Sequence, residues 1–485
     1  MKDLIISLSG VRGRVGESLT QREGYIFTSL FYTLYLLPQG EERIKVIVGR
    51  DPKNSGVEII KGVMGALKEK NVEIINLGVT TLPIIEWAVK HYSAEGGIMV
   101  TASHNPIEWN GLKFISSYKE GAYLLSGEVM ERIRKNWKKK SYPFPSSYWS
   151  PPVENYLEEY FYEVKEEVER LVVNCGGEGK KLLEMLKEEK IKIVIDATCK
   201  EGNRIPFLFL KSLGIPDKNL VTINSGSIEE CSRSLEPSPP HLGELRRVIQ
   251  EEKADIGFAT DPDQDRLVAM PLKSEEHTPL LAGKFLLELQ KTQGKKFLHS
   301  IVINLSTSAA WEELGERYGI KIVRVPVGEV NVVEGMRKEK TVFGVEGNGG
   351  VILSSVNQGR NSSVGILLLL LYLAWRGESI EKLEQDLPPY QMLKEKVKVS
   401  VKGERLKEWL KEGIERYLRE RKEEVKEVDI RDGYRIFYRD NSWLHIRPSN
   451  TEPLVRIFVE KRGGGKKALK EKVEEIKGWM ENFLS

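Results

Sequence analysis

Four short segments of this chain carry side chains that could do chemistry. Thr101–Pro106 (TASHNP) offers the hydroxyl of Ser103 beside His104. Asp261–Arg266 (DPDQDR) crowds the carboxylates of Asp261, Asp263 and Asp265 into five residues and ends in Arg266. Glu346–Gly350 (EGNGG) sets an acid and the amide of Asn348 in a glycine-rich turn. Arg447–Pro453 (RPSNTEP) lines up Arg447, Ser449, Asn450 and Thr451. A nucleophile, a site for a hard metal, a reader of vicinal hydroxyls and an oxyanion clamp together point to phosphoryl transfer on a polyol such as a sugar.

Each segment also has a plainer reading. Ser103 could simply end a strand in a hydroxyl turn, and no G-x-S-x-G elbow surrounds it. Three carboxylates at alternate positions repel one another unless a cation neutralises them, and an all-oxygen set suits Mg²⁺; a solvated acidic turn is the alternative. An EF-hand does not fit, because its sixth position would be Arg266 and its twelfth Leu272. Arg266 could orient the carboxylates or meet a phosphate. Lys113, ten residues past Ser103, is a candidate cationic acid/base or phosphate contact, or a surface lysine. Arg12 sits in a glycine-framed turn, Ser9–Gly13, whose spacing is not the dinucleotide fingerprint. No Walker A sequence occurs either, so nucleotide-binding readings lack support.

The elements that must hold these segments are short apolar strands alternating with helical stretches. The pattern strand–helix–strand–helix–strand recurs three times: strands near 43–51, 71–83 and 96–106; near 191–198, 219–225 and 254–266; and near 299–308, 319–330 and 341–350. This predicts parallel sheets of α/β type. The third strand of each unit ends in one of the chemical loops, where open α/β sheets bind ligands. If the units face one cleft, Ser103, the aspartates and Glu346 meet there. After residue 376 the character changes to a charged helix (403–424), three antiparallel-type strands and a closing helix from about Lys466. The expected architecture is α/β, three related units around a central cleft, plus a smaller C-terminal α+β domain. The expected boundaries are 1–150, 151–253, 254–376 and 377–485, with the 261–265 loop at the junction of the second and third.

Bulk composition narrows the classes. Lys+Arg 74 against Asp+Glu 71 leaves a net charge of +3, which gives no support for a nucleic-acid or membrane binder. Three widely spaced cysteines without a CxxC argue against a zinc site or a disulfide framework and fit a reducing cytoplasm. The N-terminus lacks a signal-peptide apolar stretch, and the longest apolar run, Ile366–Ala374, is too short to span a bilayer and reads as a buried helix.

In this order and across nearly the whole chain, these motifs resemble the α-D-phosphohexomutase superfamily. The resemblance implies four domains and a phosphoserine at Ser103, which with Asp261, Asp263 and Asp265 holds Mg²⁺. It implies conversion of hexose 6-phosphate to hexose 1-phosphate through a hexose 1,6-bisphosphate that serves as intermediate and activator. Arg12, His104, Lys113 and Arg266 would surround the transferring group, with Lys113 the candidate for proton transfer. Glu346 and Asn348 would hold the sugar; Arg447, Ser449, Asn450 and Thr451 would clamp the other phosphate. The sugar loop departs from the Glu-x-Ser-Gly-His form, with Asn348 and Gly350 in place of the serine and histidine. That form is similar to a branch that holds phosphoglucosamine mutases and phosphomannomutase/phosphoglucomutases; the flanking sequences lean toward the first. The expected partner is a small sugar phosphate, with no nucleic acid and no membrane, in a monomer or homodimer. Two readings from other classes remain: a phosphatase with an aspartate nucleophile, and a non-catalytic sugar-phosphate binder.

Overall fold

The computed structural model describes all residues except 1–3, 41–42, 119–120, 139–149, 189–190, 400, 402–403, 449–453 and 485. Three sheets repeat one plan. In the first, Lys45–Arg50 lies between Glu73–Val79 and Gly96–Val100, all parallel, and Trp109–Tyr118 adds to the far side antiparallel. In the second, Ile193–Asp196 lies between Leu220–Thr222 and Ile256–Thr260, with Leu267–Met270 antiparallel. In the third, Ser300–Asn304 lies between Lys321–Val325 and Phe343–Glu346, with Gly350–Leu353 antiparallel. Each unit therefore has the three expected strands plus a fourth that folds straight back. The chemical loops are the turns into that fourth strand.

The sequence dictates this locally. Gly96–Val100, Ile256–Thr260 and Ser300–Asn304 are buried along their whole length, as strands covered by helices on both faces must be. Helices on those faces carry conventional caps: the side chain of Thr81 accepts from Ile84 N at the start of Leu82–His91, and that of Asn361 accepts from Val364 N at the start of Ser362–Arg376. The apolar run at 366–374 is the middle of the latter helix and is wholly buried.

One expectation needs correction. The boundary between 253 and 254 cuts through the second sheet, because Ile256–Thr260 pairs with Ile193–Asp196 and with Leu267–Met270. The aspartate loop belongs inside the second unit, and the third begins after Met270. The repeat pattern puts the strand near 254–266 in the second unit, and the backbone pairing agrees with it; the boundary is what has to move.

The C-terminal domain is a five-stranded antiparallel sheet in the order Tyr390–Lys398, Leu454–Arg462, Ser442–Pro448, Tyr434–Tyr438, Val425–Asp429. Helices Glu404–Glu420 and Lys466–Leu484 accompany it. One apolar core runs from Ile47 to Leu387 and joins the three α/β units. The C-terminal domain has its own, from Val399 to Met480.

Candidate active site

The fold brings the first two chemical loops into contact. Ser103 is buried, and its Oγ donates to Asp261 Oδ2 (2.9 Å). His104 Nδ1 lies 3.2 Å from the same Oγ. The backbone at Ser103 is left-handed, with φ at +52°. Its N–H donates to Thr101 Oγ1 (2.8 Å), and that hydroxyl donates to Asp51 Oδ2 (2.6 Å). Lys53 Nζ closes the turn from beneath, donating to the carbonyls of Ser103 and Asn105 (3.0 Å each). A strained turn is thus pinned from several directions, as such conformations require. Arg12 Nη1 donates to Asn105 Oδ1 (3.0 Å) and so borders the same loop.

The three aspartates are fully buried, and one ligand oxygen of each lies within 4.8 Å of the others. Asp263 Oδ2 accepts from Lys113 Nζ (2.7 Å), and Asp265 Oδ2 accepts from Lys113 Nζ (3.3 Å) and Arg360 Nη2 (2.5 Å). Arg266 Nε stands 3.8 Å from both Asp261 and Asp265. The other oxygens, Asp263 Oδ1 and Asp265 Oδ1, are buried without a hydrogen-bond partner. Orphaned anionic oxygens cost free energy unless something positive meets them. Hard oxygen donors left over in this way fit a divalent cation of the magnesium type.

The electrostatics agree. Burial and the neighbouring Asp265 and Asp263 push Asp261 well above the ordinary carboxylate range. Burial also pushes Asp265 up, but Arg360, Lys113 and Arg266 overcome it and hold Asp265 low. Burial alone would lower Lys113; Asp263 and Asp265 outweigh it, so the ammonium stays charged. Burial, with Arg266 and Arg12 nearby, drives His104 far below its usual range, so its imidazole is neutral.

The third loop joins through one arginine. Arg360 Nη1 donates to Glu346 Oε2 (2.8 Å), and Asn304 Nδ2 donates to Glu346 Oε1 (2.8 Å). Asn348 Oδ1, two residues on, is buried with no hydrogen-bond partner. The backbones of the second and third loops also touch: Leu267 N donates to Gly349 O (3.1 Å). Gly349 has φ at +90°, and a Cβ there would stand 2.2 Å from Leu267 O, so only glycine fits.

Of the residues singled out from sequence, Ser103, His104, Arg12, Lys113, Asp261, Asp263, Asp265, Arg266, Glu346 and Asn348 belong to loops joined in one network of contacts. Arg447 lies on the C-terminal sheet, its Nε 3.4 Å from Asp432 Oδ2. Ser449, Asn450 and Thr451 lie outside the described residues. The C-terminal domain reaches these residues: Lys396 is 3.8 Å from Glu236, which lies 3.4 Å from Arg266 and 3.9 Å from His104.

Sequence reading missed Asp51, Lys53, Asn304, Glu236 and Arg360. A signal existed for the first two: Arg50-Asp51-Pro52-Lys53 also follows a buried strand, Lys45–Arg50, at the same edge as the chemical loops. Arg360 has no such mark, since it precedes a helix in a plain polar turn.

Comparison with known proteins places the chain. Family models match three stretches: phosphoglucomutase/phosphomannomutase α/β/α domain I over residues 4–143, domain III over 275–390, and the C-terminal domain over 396–478. A phosphoglucomutase/phosphomannomutase of Thermococcus kodakarensis is 27% identical over 459 residues, 93% of each chain. A probable phosphoglucosamine mutase of Methanosphaera stadtmanae is 29% identical over 461 residues, 94% of each. Among solved structures, the N-acetylphosphoglucosamine mutase of Aspergillus fumigatus, in complex with GlcNAc-6P and magnesium, shares the fold with a TM-score of 0.60 at 12% identity, over 100% of this chain and 96% of that one. With family models matched in order over most of its length and relatives that align end to end, this chain belongs to the α-D-phosphohexomutase superfamily and is an intramolecular phosphotransferase.

Proposed function

We propose that the enzyme interconverts hexosamine 6-phosphate and hexosamine 1-phosphate through a phosphoserine at Ser103 and a 1,6-bisphosphate intermediate. One observation carries the reading: the buried Ser103 hydroxyl is hydrogen-bonded to the first of three clustered aspartates. Asp261, Asp263 and Asp265, with the phosphate on Ser103, would hold Mg²⁺, which supplies charge neutralisation for the transferring group.

The sugar-phosphate hydroxyl attacks the phosphorus, the Ser103 Oγ–P bond breaks, and a new O–P bond forms on the sugar. Lys113, kept protonated by Asp263 and Asp265, gives a proton to the departing Oγ and takes up the one the attacking hydroxyl loses, so the ammonium is restored. The bisphosphate turns over, its other phosphoryl group returns to Ser103, and the protons return with it. Arg12 and Arg266 add positive charge around the transfer. His104, being neutral, contributes a contact to Oγ without taking its proton permanently. Glu346 and Asn348 grip the sugar, and the unmatched acceptor at Asn348 suits an amine or hydroxyl donor at C2. Arg447, Ser449, Asn450 and Thr451 are assigned to the phosphate that is not transferring, with a small sugar phosphate as the partner. The names of the relatives support both an aminosugar and a glucose or mannose substrate; the sequences flanking Ser103 and opening the last domain lean toward the first.

The test is direct. Glucosamine, mannose and glucose 6-phosphates are each given with Mg²⁺ and a trace of hexose 1,6-bisphosphate. The expected result is isomerisation, fastest for glucosamine 6-phosphate, and a phosphoryl group on Ser103 by intact mass. Ser103→Ala should lose turnover by about a thousandfold or more. Full activity in that variant, or release of inorganic phosphate without isomerisation, would overturn the reading.

A further inference from the structure

Arg360 holds three carboxylates from three elements on one guanidinium. Nη2 donates to Asp265 Oδ2 in the aspartate loop (2.5 Å), and Nη1 to Glu346 Oε2 at the start of the sugar loop (2.8 Å). Nε and the backbone N–H both donate to Glu329 Oε2 (2.9 and 3.1 Å), at the start of helix Glu329–Glu339. We propose that Arg360 is a positioning residue that couples occupation of the aspartate loop to the grip of the Glu346 loop, an inference that rests on the hexose-phosphate reading above.

The geometry is rigid at the anchor and shared at the two ends. Asn361, the next residue, caps helix Ser362–Arg376 and accepts from Tyr160 OH (3.1 Å). Gly359, on the other side, lets the turn press against Glu86: a Cβ there would meet Glu86 Oε2 at 2.0 Å. The backbone of Arg360 is therefore clamped, and its planar fork sets the separation of Asp265 and Glu346. Both carboxylates already have a second donor on the protein: Lys113 for Asp265 and Asn304 for Glu346. Arg360 is the cation common to both. A divalent cation drawn to Asp265 weakens that carboxylate's hold on Arg360. The guanidinium then serves Glu346 more fully and fixes it for the sugar hydroxyls. By reciprocity, sugar on Glu346 must tighten the cation by the same factor.

The experiment is calorimetric titration of the unphosphorylated enzyme with glucose 6-phosphate, without and with saturating Mg²⁺, and the converse titration of Mg²⁺. In the wild type the sugar phosphate should bind about fivefold tighter or more with the cation present, and the cation should gain the same factor. In Arg360→Lys, a point charge that cannot span both carboxylates, the factor should fall to within about twofold of unity. Glu329→Gln removes the anchor while leaving both loops intact. It should reduce the coupling in the same direction and guards against a folding failure in the first variant. A coupling factor unchanged in both variants, or absent from the wild type, overturns the inference even where the enzyme isomerises hexose phosphates. No isomerisation of any hexose phosphate by the wild type overturns the reading on which it rests.

Discussion

Ser103 shows how much one backbone angle can demand. At φ +52° the residue sits where side chains branched at Cβ are strongly disfavoured. Ser103→Thr should therefore fail as a substitute alcohol, even though threonine accepts phosphate elsewhere. The expected outcome is a stability loss of about 1–3 kcal/mol by urea unfolding and turnover reduced at least tenfold. Wild-type values for both would show that the turn relaxes easily. At this scale the sequence was informative wherever the chemistry is contiguous. Ser103 with His104, the alternating aspartates, and Glu346 with Asn348 each fit within one loop. Arg360 was illegible because its meaning lies in partners far along the chain, Asp265 being 95 residues away. Lys53 is similar: its ammonium reads as a surface charge until the fold delivers the Ser103 carbonyl 50 residues on.

Among elements, the repeated strand–helix pattern was legible because strands buried on both faces are apolar throughout. The fourth strand of the second and third units was not. Leu267–Met270 and Gly350–Leu353 are four residues long, and nothing in so short a run distinguishes a return strand from a loop end. Val425–Asp429 (VKEVD) was hidden by its charges, which suit the sheet edge it occupies. The C-terminal sheet meets the third unit through polar contacts. His445 Nε2 donates to the Asp432 carbonyl (2.6 Å), so its Nδ1 accepts from Ser306 Oγ (3.0 Å). Burial holds this imidazole down to about 3. The unfolded chain takes up a proton near pH 6.5 while the folded one resists until about pH 3, so stability falls as pH drops through that window. His445→Gln should flatten this limb: the difference in urea midpoint between wild type and variant should shrink or reverse between pH 7 and pH 4. A constant difference across that range would show that His445 does not titrate between the two states.

For the whole molecule, the separation of cores matters most. The largest runs through the three α/β units, the first of which has a further core on its other face, and the C-terminal domain has a core to itself. The joints between them are side-chain contacts such as Lys394 with Glu276 (2.8 Å) and Arg462 with Glu313 (2.8 Å). Two cooperative blocks with a polar joint should unfold separately. Scanning calorimetry is expected to give two transitions, the one assigned to the C-terminal domain shifting upward with glucose 6-phosphate if that domain clamps the ligand. A single transition with equal calorimetric and van't Hoff enthalpies would instead make the molecule one cooperative unit.

The joint between the aspartate loop and the sugar loop is of a different kind, backbone to backbone, from Leu267 N to Gly349 O, across a position that tolerates no side chain. Attempts to broaden substrate range by lengthening or loosening that turn would tear the very edge that carries the aspartates. Redesign of sugar preference in this scaffold has to proceed by exchanging individual groups, beginning at Asn348, while the path of the main chain is left alone.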